Sequence, residues 1–237
     1  MYRSIILLFS VVIFLGCQDT KSTNKETPVA PVITDTIPKK EEPKAPAPKG
    51  TPENPMIASQ AELKPFLKKY GEENPETKVR IVTRFGNIEI ELFKDTPLHR
   101  ANFIMLVKNE YFNTTQFHRV SPDFVVQGGN NDTKTTALNR KAMGNYLLPN
   151  EAKKHHPHVR GAFSAAKYSE QNISKASSPF EFFIVQSHRG AHHIDGDHTV
   201  FGRVTKGMSV IDEINKVTVD ASEWPEENIY MKIEIIK

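Results

Sequence analysis

Residues 117–129 read Phe-His-Arg-Val-Ser-Pro-Asp-Phe-Val-Val-Gln-Gly-Gly, and no other stretch limits the fold as tightly. The alternation over 117–120 and 124–127, with Ser-Pro-Asp between, suits two short strands joined by a turn. A Gly-Gly pair then turns the backbone. On such strands Arg119 and Gln127 can face one surface, with Phe124 beside them. A polar pair against an apolar wall, without an obvious nucleophile, suits binding and electrostatic strain better than bond cleavage.

The rest of the chain divides by composition. Its 237 residues are enough for one good domain plus extras. A formal charge of +3, with Lys and Glu interleaved, points to no nucleic-acid partner. Cys17 is the single cysteine, so no intrachain disulfide can form. The folded part must be stable by burial alone, and about 160 residues can bury a sizeable core.

The first residues are of another material. Arg3 supplies a weak positive start, and residues 5–15 form an apolar run broken only by Ser10. That run is too short for a bilayer, which needs about 20 residues, but suits a signal-peptide core. It ends Phe-Leu-Gly-Cys, which looks like a bacterial lipobox. Residues 1–16 are therefore expected to be a lipoprotein signal peptide, with Cys17 as the lipidated residue and the chain anchored to a membrane. Several acyl chains on one N-terminus anchor stably where one is marginal.

Residues 17–76 are expected to form a tether rich in Pro, Lys and Glu. Eight of the sixteen prolines lie between Pro28 and Pro55. Such a segment buries too little apolar surface to offset its ordering entropy. As an extended, partly polyproline-II chain its reach is on the order of 100 Å, which suits a spacer between membrane and domain. Within it, residues 59–70 have the apolar spacing of a short amphipathic helix capped by Ser59 and followed by Gly71, with Pro65 as a complication.

From residue 77 to 237 the pattern is that of a folded domain. Strands are expected over 79–84, 88–93, 117–120, 124–127, 161–166, 180–186, 199–204 and 229–236, with a hairpin at Phe85-Gly86-Asn87. Helices are expected over 96–109, where Pro97 stands near the start, and over 208–215. Residues 130–158 read as loop-rich. Eight short strands and two helices fit a mainly β, closed antiparallel barrel, in which closure removes exposed edges.

The Phe-His-Arg … Phe-x-x-Gln-Gly-Gly block resembles the cyclophilin family of peptidyl-prolyl isomerases. Residues 83–93, Ala101-Asn102-Phe103, 181–184 and 195–204 match the family's segments in order, and the resemblance covers roughly residues 78–237. It implies an eight-stranded barrel with a helix capping each end. It also implies rotation about X-Pro bonds without metal or cofactor, Pro-containing polypeptides as substrates, and a monomer. Arg119 would be the donor to the twisted amide. Gln127 would hold the substrate carbonyl or orient Arg119. The proline cup would be walled by Phe124, Val125, Phe183, Ile194 and His198, with Phe182 in the core. The main chain near Ala166 and Lys167 would pair with substrate backbone. His118, next to Arg119 on a strand, reads as structural or rim.

Two positions depart from the family. Glu181, expected among the substrate-binding residues, stands where glutamine is common, and could pair with Arg119 or Gln127, orienting the guanidinium or drawing it off target. His193 stands where many members carry tryptophan, so affinity for the cyclic peptide cyclosporin should be reduced. The loop 168–178 and residues 130–157 match poorly and would set substrate preference. Of the seven histidines between His155 and His198, the clusters 155, 156, 158 and 192, 193 read as solvated loop residues rather than a metal site. The leading function is a lipid-anchored proline isomerase of a bacterial cell envelope, assisting the folding of exported proteins. The competing reading is a module that binds proline segments without turnover.

Overall fold

The computed structural model describes residues 50–168 and 174–237. The expected signal peptide, Cys17 and the expected tether up to residue 49 lie outside the described residues.

The described chain folds as α1 (Leu63–Glu73), β1 (Lys78–Thr83), β2 (Gly86–Leu92), α2 (Pro97–Lys108), β3 (Gln116–Ser121), β4 (Val125–Asn130), α3 (Lys134–Met143), β5 (Ala162–Ala165), β6 (Phe182–Val185), β7 (Val200–Lys206), α4 (Met208–Ile214), β8 (Ile229–Tyr230) and β9 (Lys232–Ile235). All strands pair antiparallel in the order β8-β3-β4-β6-β5-β7-β2-β1-β9. The two ends of that order, β8 and β9, are separated in sequence only by Met231. The expected closing strand 229–236 is thus one segment that bends at Met231, passes from β3 to β1, and nearly closes the barrel. Met231 is buried and packs where a β-carbon on Gly128 would lie.

Strand alternation sorts the interior from the outside. Phe103, Phe112, Phe163, Phe182 and Phe201 form a ring cluster inside, with centroids 4.7–5.9 Å apart in the pairs that touch. Phe182 is core, as expected. Its neighbour Phe183 belongs to a second apolar cluster, with Val125, Ala166, Val185 and Val200. Strands β5 and β6 are buried on both faces because loops fold over their outer side. That covered outer face is where a site can form.

Several sequence expectations need correction. Residues 130–158 hold the helix α3, capped by the Thr133 hydroxyl and ended at Gly144 with φ +123°. Its stripe is mostly polar, with only Thr136, Ala142 and Met143 buried, so apolar periodicity gave no signal. Among the described residues there are four α-helices, against two expected in the barrel domain and a third, at 59–70, expected before it. The turn of the first hairpin is Arg84-Phe85, with Thr83 already paired to Gly86.

The helix α1 runs through Gly71, which needs no side chain there: a β-carbon would press on Ala101 of α2, and its carbonyl accepts from Arg100 at 3.0 Å. Pro65 sits in the first turn, where no intrahelical N–H is required. Ile57, Leu63 and Leu67 are fully buried in the main core. Residues 57–76 are therefore part of the folded unit and not of a tether.

Candidate active site

The hairpin β3–β4 sets Arg119 directly opposite Gln127. A bulge at 117–119 breaks the alternation of β3, so two residues there oppose one on β4. His118 consequently lies buried under the hairpin, with its Nε2 3.6 Å from Glu181 and its ring 5.8 Å from Trp224. Of the two expected places, structural or rim, its burial excludes the rim.

Above this outer face lies a groove of about 630 Å³. The hairpin supplies Arg119, Phe124, Val125 and Gln127. The exit of β5 adds Ala166 and Lys167, and β6 adds Phe183. The loop before β7 closes the far side with His193, Ile194, Asp197 and His198. Every expected site residue except Glu181 lines this groove, and Asp197 joins them. Aromatic contacts build the floor and rim: Phe183 stacks on His158 at 5.8 Å and meets His198 edge-on at 5.4 Å. His193 stacks on Phe124 at 5.4 Å, so part of the missing indole wall is restored by imidazole.

The guanidinium is held from two sides. Arg119 Nε donates to Glu223 Oε2 at 2.6 Å, and an Nη1 hydrogen goes to Gln127 Oε1 at 3.3 Å. Its side chain stays 36% exposed, so the remaining N–H groups can meet a ligand. Glu223 is itself fixed: its Oε1 accepts from the Ser121 hydroxyl at 2.6 Å and its carbonyl from Val120 N–H at 2.8 Å. It sits at φ +63° in a turn organised by Asp220, whose carboxylate accepts from the N–H groups of Ser222 and Trp224.

Glu181 serves a different neighbour. Its side chain is 11% exposed and lies behind the groove. It accepts from Gln127 Nε2 at 3.2 Å and from Arg140 of α3 at 2.9 Å. Burial works against its charge, but His118 and Arg140 outweigh burial and hold the carboxyl below the usual carboxylate range. An ionised carboxylate can only accept, so the Gln127 amide must turn its NH2 to Glu181 and its oxygen to Arg119. The expectation that Glu181 contacts substrate is thus corrected, and so is its feared pull on Arg119. The carboxylate that binds Arg119 is Glu223.

The far wall is tied down by His158 and Asp195. His158 is 1% exposed, which corrects its reading as a solvated loop residue. Its Nδ1 lies 2.7 Å from Asp195 Oδ1 and its Nε2 3.0 Å from the Ser164 hydroxyl, while its N–H also donates to Asp195 at 2.7 Å. Burial opposes ionisation of Asp195, yet these bonds and one from His192 hold its carboxyl down at about 2. A carboxyl lowered from the usual 3.8 stabilises the fold above that value and loses its contribution as pH falls through about 2. Asp195→Asn should therefore flatten the loss of stability between those limits, read as the denaturant midpoint of both proteins against pH.

Two further details shape the groove. His198 is pushed below the usual imidazole range by burial, and its Nδ1 lies 3.0 Å from the Ala165 carbonyl. Ala166 has its N–H on Glu181 O and its carbonyl on Ser178 N–H. The expected backbone pairing with a ligand therefore moves off the Ala166 N–H toward Lys167, whose ammonium reaches Asp197 at 3.2 Å.

Glu223, Arg140, Asp195, Asp197 and His158 were missed as site components. The bonds that bring them to the site, Glu223 to Arg119, Arg140 to Glu181, Asp195 to His158 and Asp197 to Lys167, span 30 to 104 residues, spacings no local pattern encodes.

Comparisons with known proteins agree with this geometry. Residues 78–235 match the family model described as cyclophilin type peptidyl-prolyl cis-trans isomerase/CLD. A peptidyl-prolyl cis-trans isomerase of Acinetobacter baylyi is 38% identical over 60% of this chain and 73% of its own length. A peptidyl-prolyl cis-trans isomerase-like 2 of Rhizopus delemar is 37% identical over 65% of this chain, which spans only 27% of that longer protein. The crystal structure of a Cryptosporidium parvum cyclophilin type isomerase, determined in the presence of the dipeptide Ala-Pro, superposes with a TM-score of 0.56 at 26% identity. It covers 68% of this chain and 99% of the other. From its barrel, its groove and its relatives, this chain belongs to the cyclophilin-type peptidyl-prolyl cis-trans isomerase family.

Proposed function

We propose that this isomerase turns X-Pro bonds in exported polypeptides, with Arg119 as the catalytic donor, while tethered to a bacterial membrane through lipidated Cys17. The observation that carries the reading is a half-exposed guanidinium, held by Glu223 and Gln127, over an apolar groove floored by Phe183.

Rotation about a peptide bond is opposed by about 18–20 kcal/mol, because the nitrogen lone pair is delocalised. In the twisted state that lone pair becomes a hydrogen-bond acceptor. A donor aimed at it binds the twisted amide better than either planar isomer, and differential binding lowers the barrier. Arg119 keeps its charge and has N–H groups to spare after its two bonds. One charged donor of this kind supplies about 3–4 kcal/mol by analogy with oxyanion-hole deletions. An acceleration of about 10⁵ needs about 7 kcal/mol. The rest comes from gripping both sides of the bond: Phe124, Val125, Phe183 and Ile194 hold the proline ring, and the hydrogen bonds of Gln127 and the Lys167 main chain hold the flanking backbone.

The reading as a mere binding module rests on the departures at Glu181 and His193. Glu181 binds Arg140 and Gln127 instead of diverting the guanidinium, which removes the first of these grounds. An X-Pro peptide assay decides the matter: binding without rate gain would return the module reading.

Glu223 acts as a positioning residue. Glu223→Gln should keep the proline cup and lose the ionic hold on Arg119. We expect kcat to fall by roughly tenfold, about 1.4 kcal/mol, with KM little changed. An equal rise in KM would mean that Glu223 only shapes the groove.

The anchor and the compartment rest on the sequence of residues 1–17. Among the described residues no helix is long and apolar enough to cross a membrane. Mass spectrometry of the mature N-terminus tests the proposal, which an unmodified Met1 or a soluble cleaved product would defeat.

A further inference from the structure

We propose that Asp95, His155 and His156 form a binding site for one transition-metal cation of the Zn²⁺ class, separate from the isomerase groove. Asp95 follows β2 and precedes α2, whereas the two histidines lie on the loop before β5. The fold brings them together across 60 residues. Nε2 of His155 stands 2.8 Å from one Asp95 oxygen, and Nε2 of His156 stands 2.9 Å from the other. One ligand atom from each residue lies within 4.8 Å of the other two. Ligand atoms around a tetrahedral ion with bonds of about 2.0–2.1 Å are about 3.3 Å apart, so small side-chain shifts suffice.

The site is partly preset. The His156 ring stacks on Phe93 at 4.0 Å and 17°. Phe93 is itself bonded through its N–H to Phe201 O in the barrel wall. The main-chain N–H of His156 donates to Lys153 O, which fixes the loop turn. Asp95 keeps its carboxyl below the usual range against burial, through His156 and His155. Two imidazoles and one carboxylate suit Zn²⁺, Ni²⁺ or Cu²⁺ and not the all-oxygen preference of Mg²⁺ or Ca²⁺. Three protein ligands leave a fourth position, which exposed Asp95 and His155 open to solvent. Lys153 and Lys154 add opposing charge, but both are exposed and screened. None of the three ligands lines the groove. The carboxylate stands 60 residues before His155, a separation that no local spacing of ligands reveals.

The test is calorimetric titration of the untagged, chelator-treated full chain with ZnCl2 and, separately, MgCl2. We expect one equivalent of Zn²⁺ bound in the micromolar range or tighter, a raised melting temperature with Zn²⁺, and no binding of Mg²⁺. The double variant His155→Ala/His156→Ala should lose at least about tenfold in Zn²⁺ affinity. Both residues lie outside the groove, so the variant's isomerase rate reports that it is folded. Asp95→Asn, which keeps the shape and removes the charge, should weaken binding as well. Absence of stoichiometric Zn²⁺ binding by the parent chain overturns the proposal. So does full affinity in the double variant, which would place the ion on other histidines such as His188 or His192.

Discussion

Arg119→Ala should leave a folded protein that isomerises X-Pro peptides about 10²–10³-fold more slowly. That range converts the roughly 3–4 kcal/mol of one preorganised charged donor. Arg119 is partly exposed and lies on the outer face of the barrel, so its removal opens no core cavity. Its removal does leave Glu223 with one fewer partner, yet Glu223 keeps Ser121. Melting temperature should change little while kcat falls. Arg119→Lys should not rescue the rate, because a point charge cannot serve Glu223, Gln127 and the amide in one fork. A variant that keeps parental kcat would remove Arg119 from the chemistry and leave only the apolar grip.

Gly129→Ala should be among the most damaging single-methyl changes on stability. Gly129 sits at φ +100°, where a side chain is strained. A β-carbon there would overlap the Phe180 carbonyl oxygen, which is main chain and cannot swing aside. Strain and overpacking together cost about 2–5 kcal/mol. The position matters to the site as well, because the Gly129 carbonyl accepts from the Tyr111 hydroxyl at 2.9 Å and from Arg140 at 3.3 Å. Denaturant unfolding should show a lower midpoint for Gly129→Ala. A control at Gly196, also at positive φ but with open space around it, should cost less. Equal losses at both positions would mean that strain alone matters.

The legible parts of this protein were those whose cause is local. Pro97 at the first turn announced α2, which runs from Pro97 to Lys108 against an expected 96–109. Alternation announced the hairpin carrying Arg119 and Gln127, and the adjacent facing of Phe182 and Phe183 separated core from groove. The helix α3 was missed because its polar stripe buries too little to mark a period. The first turn of α2 needed acceptors, and the Glu151 carboxylate supplies them to Leu98 and His99 from far downstream.

By itself the chain's order of residues determined the strands of the barrel and the hairpin that sets Arg119 opposite Gln127, because periodicity and turn chemistry act over a few neighbours, whereas the rest of the groove wall was legible only through the family resemblance. Tertiary structure alone decided which carboxylate holds which cation. Glu223 rather than Glu181 binds Arg119, Glu181 binds Arg140, and Asp95 gathers two histidines. Ion pairs are made wherever folding brings opposite charges within reach, and that reach is set by how the loops cross the barrel rather than by spacing along the chain.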